Sequence, residues 1–185
     1  MTLNVYKYKN YNEYVSEQTK ANKKKIHWEF NSKHHIEWIK TVKLNAKKII
    51  CHGTRSGGEQ KLFKLYYPDA YVIGTEISET ATQFEMTVHH DFAIEKKEWI
   101  KQFDILYSNA FDHSYDPDVC IETWKNQLSI DGKMFIDWNK YHQDESHGPR
   151  DPVSGSLDNF TKFLSSHKIK ILQNNNDLLM CAVEI

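Results

Sequence analysis

The stretch from Lys47 to Glu76 limits what this chain can fold into more than any other. A short apolar run, Ile49-Ile50-Cys51, meets a loop with glycines at Gly53, Gly57 and Gly58. Leu62, Phe63, Leu65 and Tyr66 then recur at helical spacing, and Pro68-Asp69 breaks the pattern. A second apolar run, Tyr71-Val72-Ile73, leads to Glu76. The order is strand, glycine loop, helix, strand, acid, which is one βαβ unit. Glycine permits positive φ and lets a ligand come close to the backbone. Loop amides and the start of the next helix attract polar or anionic groups. A carboxylate about 20 residues further on is placed to accept the hydroxyls of a ribose. From Gly53 the chain reads Gly-Thr-Arg-Ser-Gly-Gly rather than G-x-G-x-x-G. The ligand is therefore indicated by the context of the loop, not by the loop alone.

At 185 residues the chain fits one domain with a sizeable core. Its 39% hydrophobic content suits a globular protein. A net charge of −1 supplies no field to draw it onto nucleic acid or an acidic membrane. No apolar run approaches membrane-spanning length, and no signal-peptide pattern opens the chain. Cys51, Cys120 and Cys181 are odd in number and far apart. They read as reduced, buried thiols in a cytoplasmic protein. Nothing in the sequence speaks to oligomeric state.

Residues 1–45 are polar and aromatic, with predicted helices over Tyr11 to Lys24 and His34 to Val42. They read as a helical lid over a pocket in the domain formed by residues 46–185. The run Lys23-Lys24-Lys25 reads as a solvated helix face. After Glu76 the alternation continues. A short helix spans Glu79 to Phe84, a third strand covers Thr87 to His90 and ends on Asp91-Phe92, and another short helix runs from Lys96 to Gln102. A fourth strand, Phe103 to Tyr107, runs into Ser108-Asn109-Ala110-Phe111-Asp112-His113. Asp116-Pro117 opens a helix burying Val119, Cys120, Trp124 and Leu128. Gly132 closes a turn before a fifth strand, Lys133 to Ile136. Residues 138–156 form a long polar loop, followed by a helix from Leu157 to Ser166. The chain ends in a hairpin with a long turn, Asn174 to Asp177. The whole predicts an α/β fold: a doubly wound, mostly parallel seven-stranded sheet with helices on both faces, ending in an antiparallel hairpin.

With these elements in place, the chain resembles the class I S-adenosylmethionine-dependent methyltransferases over roughly Lys47 to Ile185. Cys51-His52-Gly53-Thr54-Arg55-Ser56-Gly57 looks like the family's acid-x-G-x-G-x-G loop, and Glu76 like its ribose-binding acid. Asp91-Phe92 resembles the pair that reads the adenine. Ser108-Asn109 resembles the strand end that faces the transferable methyl, and Leu128 to Lys133 the turn before the fifth strand. The resemblance implies S-adenosylmethionine as cofactor, held by Gly53, Thr54, Arg55, Gly57, Gly58, Glu76, Ile77, Asp91, Phe92, Ser108 and Asn109. Two departures stand out. Cys51 replaces the acid that answers the cofactor's ammonium, and Arg55 replaces the middle glycine. Arg55 is left to pair with the cofactor carboxylate or with Glu59.

Methyl transfer asks the protein to hold an acceptor in line and to remove a proton. His113 is the candidate base, because an imidazole ordinarily titrates close to neutral pH. Asp112 or Asp116 would orient it. In the 138–156 loop, Trp138 and Tyr141 are candidate stacking faces for substrate, with His142 and Arg150 as polar contacts. His142, His147, Asp144 and Glu145 match no tight metal-binding spacing, and no metal is expected. The function read is methyl transfer to an oxygen or nitrogen of a small polar acceptor, such as a sugar or another hydroxylated metabolite. The alternatives are an NAD-dependent oxidoreductase, a nucleic-acid methyltransferase and a non-catalytic cofactor-binding module.

Overall fold

The structure is a computed structural model describing residues 3–28, 30, 32–143 and 147–184. Asp144 and Glu145 lie outside the described residues. Its centre is strand β2 (Lys48–His52), whose Ile50 and Cys51 are fully buried. Beside β2 runs β3 (Tyr71–Glu76), parallel to it, and then the short β4 (Thr87–His89). On the other side β5 (Phe103–Ser108) is parallel to β2, and β6 (Leu128–Asp137) is parallel to β5. The hairpin of β8 (Ile169–Asn175) and β9 (Leu178–Val183) closes the sheet, β9 running antiparallel to β6. The order is β4-β3-β2-β5-β6-β9-β8. The seven-stranded sheet and its terminal hairpin follow the sequence reading.

Side chains of a strand alternate between its faces. Ile49, Cys51, Ile105, Tyr107 and Phe135 pack on one face with α2 (Lys33–Val42) and α3 (Gly58–Tyr66) through Ile36, Ile39 and Phe63. Ile50, Leu106, Met134 and Ile136 pack on the other with α4 (Pro117–Gln127) and α5 (Leu157–Ser166) through Cys120, Trp124, Phe160 and Leu164. All three cysteines are free and buried. Asp116 caps α4, accepting from the amides of Asp118 and Val119, with Pro117 in the first turn.

Several expectations are corrected. The segments after β3 and before β5 form 3-10 turns, Glu79–Gln83 and Lys97–Trp99, because each connection is too short for a full helix. Val119 is 52% exposed; Ile121 takes the buried place on α4. Gly132 lies within β6 and not in a turn. A Cβ there would come within 2.6 Å of the Phe103 carbonyl. The hairpin turn is tight, leaving only Asn176 and Asp177 between the strands, with Asn176 at φ 57°. The 138–156 segment is not structureless: β7 (Val153–Ser154) pairs antiparallel with β1 (Asn4–Val5). A second ring layer joins the chain's start to this segment. Helix α1 (Tyr11–Lys24) contributes Tyr14 to a cluster with Tyr8, Tyr11 and Tyr115, and the Tyr8 hydroxyl donates to the Pro149 carbonyl at 2.9 Å.

Candidate functional site

A cavity of about 260 Å³ opens where β2, β3 and β5 end, the place where ligands of open α/β sheets bind. Its inner wall comes from the glycine loop. Gly53 has φ +71°, and a Cβ there would stand 2.5 Å from that of Ala110, so this close approach requires glycine. Gly57, at φ +77°, is the left-handed residue that turns the loop into α3. Arg55 adopts φ 46° where the resemblance expects glycine, a conformation that costs an L-residue about 1 kcal/mol. Most of the loop's amides are already engaged, chiefly by the end of β3. Gly53 and Thr54 both donate to the Thr75 carbonyl, Gly57 donates to Thr54, and Arg55 donates to Glu76 Oε2 at 3.1 Å. The loop is thus less a cradle of open donors than the sequence suggested.

Glu76 ends β3 and is 6% exposed. Ser78 N donates to its Oε1 at 2.9 Å and Arg55 N to its Oε2. Burial pushes this carboxyl up, and the two amides and the Asn22 side chain pull against that shift. Of the carboxylate's roughly four acceptor sites, these three donors leave one open. Asn22 belongs to α1 and also accepts from Thr80 Oγ1 at 2.9 Å, so the N-terminal helix is docked onto this acid. Lys23 pairs with Glu79 beside it.

The outer wall holds the candidate base. His113 Nδ1 lies 2.7 Å from the Arg150 carbonyl. A carbonyl only accepts, so Nδ1 carries the proton in the neutral ring and Nε2 keeps its lone pair. Nε2 lies 3.8 Å from Asp112 Oδ2. Asp112 is 5% exposed, and its Oδ1 has no hydrogen bond among the described residues; the nearest group is His142 Nε2 at 3.5 Å. His142 Nδ1 accepts from Asn139 N at 3.2 Å, which places its proton on Nε2, toward Asp112. Asp112 therefore sits between two imidazoles. Behind them Asp137 is buried, and burial pushes its carboxyl up to about 6. Donor atoms of Asp112, His113 and Asp151 come within 4.8 Å of one another.

Of the residues singled out in the sequence, Gly53, Thr54, Arg55, Gly58, Glu76, Ile77, Phe92, Asn109, Asp112, His113, Tyr141 and His142 line this cavity. Gly57, Asp91, Ser108, Trp138 and Arg150 do not. Gly57 shapes the loop from outside. Asp91 turns to α1, where Oδ2 accepts from the Tyr11 hydroxyl at 2.7 Å, so it faces a helix and not a ligand. Ser108 Oγ donates to the His52 carbonyl and accepts from Ala110 N, shaping the turn after β5. Trp138 is 1% exposed, stacks on Phe160 at 4.0 Å and donates to the Gly155 carbonyl. It is a core residue, and the expectation that it stacks on substrate is overturned. Arg150 contributes its carbonyl, while its side chain stays exposed. Arg55 Nη1 donates to the Trp28 carbonyl at 3.1 Å. Asp116 is spent on its helix cap. The sequence did not single out Gln18, Asn22, Glu59, Asn139 or Asp151 as lining. The helical periodicity of α1 offered no sign of which face covers the pocket.

No protein-family model and no curated protein matches the chain. Solved structures do. A crystal structure of 1,6-didemethyltoxoflavin-N1-methyltransferase from Burkholderia thailandensis, with 1,6-didemethyltoxoflavin and S-adenosylhomocysteine bound, superposes with a TM-score of 0.71. It is 14% identical, and the match covers 95% of this chain and 91% of that one. The chain has the class I methyltransferase fold. A sugar N-methyltransferase from Streptoalloteichus shares it at TM-score 0.63 and 11% identity, over 90% of this chain and 92% of that one. The cyclase SpnF shares it at TM-score 0.67 and 10% identity, over 93% of this chain and 76% of that one. One methyltransferase fold therefore carries more than one named reaction, and the choice among them rests on the residues of the pocket.

Proposed function

We propose that this protein transfers a methyl group from S-adenosylmethionine to an oxygen or nitrogen of a small polar acceptor, a sugar or another hydroxylated metabolite. The carrying observation is the pairing, in one pocket, of a buried acid at the end of β3 with an imidazole whose basic nitrogen is fixed by a backbone carbonyl. Glu76 fits a ribose hydroxyl, since both its oxygens are held in place and the carboxylate keeps an acceptor site. Gly53, Thr54, Gly58 and Asn109 would flank the amino-acid part, and Ile77 and Phe92 the ring. The bound cofactor supplies an electrophilic methyl on a sulfonium. His113 Nε2 accepts the acceptor's proton, and Asp112 holds the imidazolium that results. Residues 1–45 serve as the lid, since α1 lines the pocket and bonds to Glu76 and Asp91. Three unpaired buried thiols suit a reducing, cytoplasmic setting.

Calorimetric titration with S-adenosylmethionine, S-adenosylhomocysteine and NAD tests this reading. Micromolar binding of the first two, and none of NAD, is the expected result. Binding of NAD alone overturns it, and binding of none leaves the pocket without its proposed cofactor.

A further inference from the structure

Three large rings stand in solvent at the mouth of this pocket. Trp28 is 65% exposed, Phe30 47% and Tyr141 76%, and all three line the cavity that holds His113. They come from two segments more than 100 residues apart. Many of the protein's other rings are spent on each other: Trp124 stacks on His52, Trp138 on Phe160, and Tyr8, Tyr11, Tyr14 and Tyr115 form a cluster. Among the described residues, none of the three rim rings touches another ring. Their recorded ring contacts are cationic: Lys25 over Trp28 at 6.0 Å and Lys140 over Tyr141 at 5.1 Å. Such exposed rings contribute little to the fold, and apolar surface gathered at the mouth of a cleft marks a binding place.

Two polar side chains nearby are partly committed to the protein itself. Hydroxyl-rich ligands require side chains with donors and acceptors to spare. Asn139 donates one amide hydrogen to Asp137 Oδ2, and its oxygen accepts from Tyr141 N. Gln18 gives its amide nitrogen to the carbonyls of Pro149 and Arg150. What the rim adds is flat faces and the positive charges of Lys25 and Arg55, with Lys140 over Tyr141 and the Asp151 carboxylate on the same cavity. Arg55 has a second part in this. Its guanidinium donates to the Trp28 carbonyl and ties the rim segment to the glycine loop.

We infer that the acceptor is a planar hydroxylated aromatic molecule, preferably carrying an anionic substituent. Its ring is covered by Trp28, Phe30 and Tyr141, and its hydroxyl is directed to His113 Nε2. This rests on the methyl-transfer reading and narrows its acceptor. A flat π-face gains from ring contact, and a negative substituent gains from the cations of the rim.

The test uses three probes: 3-hydroxy-2-naphthoate, 2-naphthol and methyl α-glucoside. Each is titrated calorimetrically into the full-length protein, with and without saturating S-adenosylhomocysteine. Both aryl probes are expected to bind, the naphthoate more tightly, and the glucoside not at all. Trp28→Ala and Tyr141→Ala should each weaken aryl binding about tenfold while S-adenosylhomocysteine affinity stays within about twofold. Lys25→Ala should weaken the naphthoate about threefold and leave naphthol unchanged. Binding of the glucoside as tight as that of the naphthoate overturns the inference. So does aryl binding that is absent, or that is unaffected by both ring deletions. Loss of S-adenosylhomocysteine binding alone refutes the cofactor reading instead, and the titration without it still decides the aryl claim.

Discussion

The two walls of the pocket are built on different principles. The inner wall, made by the ends of β2, β3 and β5, is a backbone structure. Gly53 and Gly57 take positive φ there, and Glu76 is pinned by two amides. The outer wall, made by α1, residues 25–28 and 30, and residues 138–143 and 147–151, is held by side chains reaching across the chain. Gln18 bonds to Arg150, Tyr8 to Pro149, Tyr11 to Asp91 and His113 to Arg150. Backbone geometry demands particular residue types at fixed spacings, whereas side-chain docking demands only reach. The inner wall belongs to a fold shared by proteins 10–14% identical to this one, and the outer wall is where such proteins are free to differ.

If this division is right, perturbing one wall leaves the other's function intact. The largest effect is expected at His113. His113→Gln should lower kcat about 10²- to 10⁴-fold in single-turnover assays with unchanged S-adenosylhomocysteine affinity. A parallel loss of cofactor affinity would break the division. Asp137 sits behind the outer wall, and its folded-state pKa of about 6 exceeds its ordinary 3.8. A raised carboxyl contributes its full stability below about 3.8 and loses it as pH rises through about 6. Asp137→Asn should therefore stabilise the protein by up to about 3 kcal/mol at pH 8. That gain should vanish towards pH 4, as read by denaturant titration across pH. A pH-independent gain would mean that the carboxyl is not kept from ionising. On the inner wall, Glu76→Gln should weaken S-adenosylhomocysteine binding about 10- to 100-fold in calorimetry. Unaltered affinity there would count heavily against the ribose role. The smallest effect belongs to Tyr11→Phe, which removes one hydrogen bond worth about 1 kcal/mol. Hydrogen exchange should quicken in α1 and stay unchanged in β2 and β5.

The same contrast governs what could be read from residues alone. The βαβ unit, the place of Glu76 at the end of its second strand and the succession of strands along the chain were legible because periodicity, glycine placement and turn residues report directly on the backbone. The capping of α4 by Asp116 and Pro117 was legible for the same reason. Trp138 was misread because a tryptophan at the head of a polar loop looks like surface, and its partner Phe160 lies 22 residues on. The ribbon of β1 and β7 has two residues per strand, too few to show alternation. Asp91 carries the expected residue type at the expected place. Its partner, Tyr11, lies 80 residues upstream, and no local signal couples them.

The ribbon also has a mechanical meaning. Asn4 and Val5 pair with Ser154 and Val153, and Tyr6 N donates to the Pro152 carbonyl at 2.7 Å. Two residues before Pro152 is Arg150, whose carbonyl sets the tautomer of His113. Tension on residues 4–6 therefore reaches the imidazole through a handful of covalent and hydrogen bonds. A substitution that breaks the ribbon would shift the His113 imidazole from a distance while the glycine loop kept its shape.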